Sequence, residues 1–242
     1  TRMKRLFMVV SLTVLVALVV SACGPIGGVA KGKEGTLLRK IQDRGKIIIG
    51  VKYDVPLFGY LNPQTNQLEG FDVAIGKEIA KKIFGDEKKV EWKQAVSKDR
   101  IPFLQQDVVD VIISTMTITA DREKEIDFST MYYLAGQSLL VPKGSPIKSI
   151  KDLEGKRVCS AKGSTSEANI RKFAPKAELI LFDSYSECVT AMAGKRADAV
   201  STDDNILMGF ATQNKDLTLV GGLFTYEPYG MGIKRAIQRW CN

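Results

Sequence analysis

The chain has 242 residues, a formal net charge of +8 at pH 7, four cysteines and no histidine. Its basic residues are scattered and are not interleaved with aromatic residues, so nothing indicates a nucleic-acid-binding surface; a positive domain suits an anionic ligand. Without histidine or a Cys-x-x-Cys pair a metal site has little support, and we expect no metal and no cofactor.

The N-terminus has the pattern of a targeting segment. A basic start is followed by an apolar run, residues 6–20, that is short for a membrane-spanning helix. The run ends with Ala22 before Cys23, which resembles the bacterial lipoprotein box. We therefore expect a signal peptide at 1–22, a lipid on Cys23, attachment to the outer face of the cytoplasmic membrane, and a tether at 23–36. An ordinary signal peptide with an incidental cysteine is the alternative.

Strand and helix patterns alternate in the first half of the body. Apolar spacing predicts strands at 46–51, 89–92 and 108–113, a helix at Phe71–Phe84 with Asp72 as a candidate cap, and a helix at 98–105. Such tandem units indicate an α/β fold with a mostly parallel sheet, which binds ligands at the carboxyl ends of its strands.

A second series of elements follows residue 136. We predict strands at 138–142, 156–160, 179–182, 197–201 and 217–220, a helical turn at 149–153, and helices at 164–173, 184–193, 203–212. Two α/β halves with a boundary near 135–142 predict a ligand cleft between them.

The turn after the strand at 108–113 carries Ser114, Thr115 and Thr117, and Arg122 follows. Hydroxyls and free N–H groups at a helix start donate hydrogen bonds, and a guanidinium is a planar, permanently charged partner, so the segment suits a small carboxylate. A plain helix cap at Thr119 with a surface arginine is the alternative interpretation.

Two further strand ends carry candidate groups. Residues 163–166 open a helix with glycine and hydroxyl residues, among them Thr165, and their N–H groups and hydroxyls predict an anion-binding nest. A plain N-cap is the alternative. Asp203 follows the strand at 197–201 and either pairs with a ligand ammonium or caps the next helix.

In order and spacing, several segments resemble the periplasmic-type solute-binding proteins of polar amino-acid ABC transporters, nearest to glutamate-binding lipoproteins of Gram-positive bacteria. The matching segments include Gly70-Phe71-Asp72, Ser97 to Phe103, Ser114 to Arg122, Asp127-Phe128-Ser129, Gly163-Ser164-Thr165 and Glu227-Pro228-Tyr229-Gly230.

The resemblance implies a two-lobe, periplasmic-binding-protein-like (type II) fold with two hinge strands. Lobe 1 would comprise 37–136 and 224–242, and lobe 2 would comprise 137–223, with crossings near 136–141 and 223–229. The last residues look unlike the family, so we expect the C-terminal part of lobe 1 to be truncated.

For the ligand's α-carboxylate, the resemblance implies Arg122 as the clamp, helped by Thr117 and the N–H of Thr165. The ligand would bridge the lobes in a closed form, and an ABC permease in the membrane would read that form. We expect a monomer that binds and does not catalyse. The alternatives are the sensing domain of a signalling receptor and a same-fold enzyme such as a dehydratase.

For the α-ammonium, the resemblance implies Asp203, together with Thr115 or Ser114. Arg100 resembles the side-chain carboxylate anchor of acidic-amino-acid binders, and Lys52 at the end of the first strand would add a second positive charge. These two cations predict L-glutamate first and aspartate second. The alternatives are a solvated lysine at 52 and a surface helix arginine at 100.

Among the cysteines, Cys159 and Cys188 are candidates for a disulfide, because an exported protein folds in an oxidising environment. Two buried free thiols are the alternative. Cys241 is left as a thiol of undetermined redox state.

Overall fold

A computed structural model describes residues 29–235. The predicted signal peptide, the predicted lipid site at Cys23, and Cys241 lie outside the described residues. Within 29–235, no helix combines the length and apolarity needed to cross a membrane.

The first lobe is built on a five-stranded sheet in which the buried strand Ile47–Val51 lies second from one edge. That strand runs parallel to its two neighbours, and Gly232–Lys234 pairs antiparallel with the strand on each of its sides. In spatial order the strands are Val90–Gln94, Ile47–Val51, Val111–Ile112, Gly232–Lys234 and Ile126–Phe128. The helices of this lobe are Leu37–Arg44, Phe71–Phe84, Arg100–Gln105 and Ala120–Glu123, and a small antiparallel sheet contains Asp54–Val55, Gly59–Asn62 and Gln67–Glu69.

The second lobe has its own five-stranded sheet. In spatial order the strands are Glu178–Phe182, Arg157–Ala161, Ala199–Asp203, Gln137–Pro142 and Leu217–Val220. A 3-10 turn at Ile150–Leu153 and the helices Thr165–Phe173, Tyr185–Ala193 and Asp204–Gln213 complete it. The predicted alternation of strands and helices, and the α/β class, are confirmed.

Two antiparallel strands, Tyr133–Ala135 and Glu227–Tyr229, connect the lobes. The first of these strands ends at Ala135, directly before the 136–141 range expected for the first crossing. The strand Gln137–Pro142 belongs to the second sheet, because it pairs with Ala199–Asp203 and Leu217–Val220.

The predicted disulfide between Cys159 and Cys188 is present, with the two Cα atoms 5.4 Å apart. It joins the strand Arg157–Ala161 to the helix Tyr185–Ala193, and both sulfurs lie in the buried core of lobe 2. The bridge thus fixes the helix whose first residue faces the cleft.

Apolar residues of both lobes share one core cluster. Val55 and Phe58 of lobe 1 pack in it with Tyr185, Leu207 and Phe210 of lobe 2. The lobes therefore lie against each other, and the strand ends singled out from the sequence meet at their boundary.

Candidate ligand-binding cleft between the lobes

Arg122 reaches from lobe 1 to lobe 2. Its Nη1 donates to the Thr117 carbonyl at 2.7 Å and its Nη2 to the Gly163 carbonyl of the other lobe at 3.2 Å. Thr119 also caps the short helix, accepting the N–H of Arg122 at 3.2 Å. Burial and the nearby Arg100 lower the pKa of Arg122 to about 9, which leaves it charged at neutral pH. Thr119 therefore caps the helix while Arg122 lies at the lobe boundary, so the helix cap and the cleft cation predicted from the sequence are compatible.

The nest on lobe 2 approaches lobe 1 closely at Lys98. Gly163 has a φ of +72°, and a Cβ placed there would lie 2.8 Å from the Cα of Lys98 in lobe 1. Ser164 accepts the N–H of Glu167 at 3.0 Å and caps the helix that begins at Thr165. Only glycine permits this approach.

The hydroxyl of Thr117 is engaged by an acid that the sequence analysis did not assign to the site. Thr117 Oγ1 donates to Glu227 Oε2 at 2.7 Å and lies 3.4 Å from Thr165 Oγ1. Glu227 Oε1 accepts from Asn169 of lobe 2 at 3.0 Å. The Thr117 proton is therefore already used, and its expected role toward a carboxylate is limited to its main chain. The signal available in the sequence was the acidic residue Glu227 within a segment that resembles the family.

Asp203 has one oxygen in use and one without a partner. Tyr229 donates to its Oδ2 at 2.5 Å, while Oδ1 is buried and has no hydrogen bond within the described part of the chain. Asp203 precedes the helix Asp204–Gln213 but makes no side-chain cap bond, so the capping alternative is not realised. Burial and the neighbouring Glu227 raise the pKa of Asp203 to about 7. An ammonium would fill the missing partner and favour the ionised form.

Ser114 and Thr115 differ in availability. Ser114 Oγ donates to the Ala95 carbonyl at 2.9 Å, so its proton is used within lobe 1. Thr115 Oγ1 is buried and unpaired among residues 29–235. Of the two, Thr115 is the better candidate for a ligand contact.

The two predicted side-chain anchors are more constrained than the sequence suggested. Arg100 is only 2% exposed. Its Nε donates to the Ser97 carbonyl at 3.2 Å, and its Nη1 donates to the carbonyls of Ser114 and Thr115 at 2.9 and 3.0 Å. Two of its three nitrogens thus hold the main chain, and the fork is not free to grip a carboxylate with all its donors.

Lys52 is also 2% exposed. Its Nζ donates to Ser97 Oγ at 3.0 Å and lies 5.3 Å from the ring centroid of Tyr185 in lobe 2. Burial, and next the charge of Arg100, lower the pKa of Lys52 to about 7. Part of the population is therefore neutral at physiological pH.

Further contacts between the lobes surround this site. Asp54 Oδ2 accepts the main-chain N–H groups of Tyr185 and Ser186 at 3.0 and 3.2 Å. Lys98 pairs with Asp183 at 2.6 Å. The first contact joins lobe 1 to the start of a lobe 2 helix, and the second spans the same boundary at the surface.

The arrangement defines a class of protein. A two-lobe α/β molecule carries a cation, Arg122, and a carboxylate oxygen of Asp203 that has no hydrogen bond within residues 29–235, both at the boundary of its lobes, which is the charge pattern of a receptor for a small zwitterion. Residues 47–219 match the profile of the bacterial extracellular solute-binding proteins, family 3, and the chain belongs to this family.

Relatives and solved structures agree with this assignment. The chain is 46% identical over 237 residues to the ABC transporter glutamine-binding protein GlnH of Bacillus subtilis (strain 168), covering 96% of this chain and 87% of that protein. It is 50% identical over 206 residues to a glutamine-binding protein of Geobacillus stearothermophilus, covering 85% and 79% of the two chains. An ancestral arginine-binding protein bound to glutamine superposes with a TM-score of 0.75 at 39% identity, over 80% of this chain and 86% of that one. The chain is accordingly a type II binding protein and not an enzyme.

Proposed function

We propose that this chain is the amino-acid-binding component of an ABC importer, acting outside the cytoplasmic membrane. The observation that carries the proposal is the placement of two opposite charges at the lobe boundary: Arg122 of lobe 1, which reaches the Gly163 carbonyl of lobe 2, and Asp203 of lobe 2, whose Oδ1 has no hydrogen bond among the described residues. Arg122 donates one N–H of each Nη to a main-chain carbonyl, and its remaining N–H groups suit an α-carboxylate, as the Asp203 carboxylate suits an α-ammonium. The relatives named above support the amino acid and the transporter.

Glutamine is the ligand we favour, in place of the glutamate that Arg100 and Lys52 suggested from the sequence. Arg100 commits Nε and Nη1 to main-chain carbonyls, and Lys52 has a pKa of about 7. The side-chain amide of glutamine is neutral and needs hydrogen-bond partners but no opposite charge, so it suits the surroundings of Arg100 and Lys52. Two relatives at 46% and 50% identity are named as glutamine-binding. A glutamate-binding protein, GluB of Corynebacterium efficiens, is 34% identical over 243 residues, covering 96% of this chain and 80% of that one, so glutamate is second.

Ligand binding favours the closed arrangement of the lobes, because only there do groups of both lobes contact the same molecule. Arg122, Thr115 and Lys52 belong to lobe 1, and Asp203 and Thr165 to lobe 2. The closed form is the state that a permease distinguishes from the empty, open protein.

Calorimetric titration of the purified protein with L-glutamine, L-glutamate, L-aspartate and L-arginine tests the proposal. We expect one site per chain and the tightest binding for glutamine. Tighter binding of glutamate restores the original assignment of Arg100 and Lys52. If none of the four amino acids binds, the proposed function is contradicted.

We further propose that Cys23 carries a lipid that tethers the protein to the membrane. The apolar run before Ala22-Cys23 supports this. Expression in a bacterial host with radiolabelled palmitate should label the protein, and Cys23→Ala should abolish the label. Equal labelling of both forms contradicts the anchor.

A further inference from the structure

A turn with unfavourable backbone geometry lies beside the cleft cations. Thr115 has a φ of +44°. This left-handed region is uncommon for any residue other than glycine and is an outlier for a β-branched one. Such a conformation persists only where the surrounding structure holds it, so the groups that hold Thr115 are informative.

Two buried side chains hold the main chain of Thr115, one through its N–H and the other through its carbonyl. Its N–H donates to Asp72 Oδ2 at 2.9 Å, and its carbonyl accepts from Arg100 Nη1 at 3.0 Å. Arg100 Nη1 also donates to the Ser114 carbonyl at 2.9 Å. Asp72 comes from the helix Phe71–Phe84 and Arg100 from the helix Arg100–Gln105, so two separate elements converge on one residue.

Asp72 is not the helix cap that the sequence indicated. The N-cap position is Gly70, and it makes no side-chain cap bond. Asp72 is fully buried, and its second oxygen accepts from the Tyr132 hydroxyl at 2.9 Å. Burying a carboxylate is costly. Burial raises the pKa of Asp72 to about 6, although its two hydrogen bonds and the nearby charges of Lys52 and Arg100 favour the ionised form, so these contacts compensate for the cost of burial only in part.

The residue held in this way presents an unpaired group. Thr115 Oγ1 is buried and has no hydrogen-bond partner in the described range 29–235. Buried hydroxyls in native proteins are nearly always paired, and an unpaired one indicates a missing partner. A bound amino acid would supply that partner.

We propose that Asp72 and Arg100 are positioning residues for ligand binding: together they hold Thr115 in the left-handed conformation and thereby place its hydroxyl against the bound amino acid. This inference rests on the proposed function, since it requires an amino acid in the cleft. It also gives Arg100 a role that does not depend on the charge of the ligand side chain.

A double-mutant cycle with calorimetric titration of L-glutamine tests the inference. Asp72→Leu keeps a similar shape but removes both acceptors. Thr115→Gly adopts a positive φ without support and lacks the hydroxyl. We expect Asp72→Leu to weaken binding about tenfold in the wild-type background, as for one lost hydrogen bond to the ligand, and less than about twofold in the Thr115→Gly background.

Asp110→Leu is the matched control. Asp110 is a second buried lobe 1 acid that accepts a main-chain N–H, from Ile48 at 2.7 Å, and pairs with Arg44. It lies away from the cleft residues named above, so its loss should lower the melting temperature and leave glutamine affinity unchanged. A purely structural effect of Asp72 would look like this control.

The outcomes separate the inference from the proposed function. Wild-type protein that binds none of the amino acids contradicts the function itself. Wild-type affinity in Asp72→Leu, or an equal loss in both backgrounds, overturns the positioning role alone. If Asp72→Leu does not fold, Thr115→Ser and Thr115→Gly decide, because serine keeps the hydroxyl: the serine variant should bind more tightly, and equal affinities overturn the inference.

Discussion

Asp54 in lobe 1 accepts a hydrogen bond from the main-chain N–H of Tyr185 in lobe 2, at 3.0 Å. Asp54 therefore binds the N-terminus of a helix that belongs to the other lobe. The same carboxylate oxygen accepts from Ser186 at 3.2 Å. Negative charge at a helix N-terminus is favourable, and here the favourable contact exists only while the lobes are together. Under the proposed closing of the lobes on a ligand, this contact would stabilise the closed state.

Asp54→Ala should accelerate release of L-glutamine. Loss of two hydrogen bonds to a charged group costs the closed state about 1.5–3 kcal/mol, which is about tenfold or more in the dissociation rate. Stopped-flow measurement of dissociation gives the rate. Ser184→Ala is the control, because Ser184 caps the same helix from within lobe 2, accepting from Glu187 at 3.3 Å. It should lower stability by about 1 kcal/mol without a comparable change in release. Identical release from the Asp54 variant and wild type would rule out this role.

Arg100→Met should weaken binding of glutamine and glutamate to a similar degree. The arginine holds the carbonyls of Ser114 and Thr115, which any α-amino acid requires in place. A loss of about tenfold for both ligands follows from one displaced hydrogen bond. Paired calorimetric titrations measure the ratio. A loss confined to glutamate would show instead that Arg100 contacts a side-chain carboxylate.

Glutamine affinity should rise by about tenfold between pH 6 and pH 8. The pKa of Asp203 is raised to about 7 in the empty protein, by burial first and then by Glu227; Arg100, Asp204 and Tyr229 also face it. The ligand ammonium favours the ionised carboxylate, so below pH 7 binding must release a proton and is weaker. Titration in buffers of different ionisation enthalpy measures that release. Asp203→Asn should bind weakly and lose the proton release that Asp203 causes, which leaves the titration of Lys52, whose pKa is also about 7. A wild-type affinity that falls toward pH 8 would contradict this prediction.

Reduction of the Cys159–Cys188 bridge should destabilise lobe 2. The cysteines are 29 residues apart in sequence, and the chain-entropy model gives about 3–4 kcal/mol for a loop of this size. Urea unfolding of the Cys159→Ser/Cys188→Ser double variant measures the difference in the free energy of unfolding. The same unfolding midpoint with and without the bridge would contradict this expectation.

Much of the fold could be predicted because strand and helix periodicities are local properties of the sequence. It could also be predicted that the Arg122 turn and the Gly163 nest face each other, because both follow strand ends of α/β units. Asp54, Glu227 and Asp72 were not assigned to the site, because their partners lie 131, 110 and 43 residues away in the chain. The sequence could not show that Arg100 donates to main-chain carbonyls, because the side-chain pattern carries no information about where those carbonyls lie.

The claim that an α-amino acid binds between the lobes through Arg122 is tested most directly by calorimetric titration of L-glutamine into wild-type and Arg122→Ala protein. We predict one site per chain in the wild type and a loss of about a hundredfold or more in the variant, because a desolvated charge pair is removed on one side only. Binding of glutamine by Arg122→Ala with wild-type affinity would contradict the account.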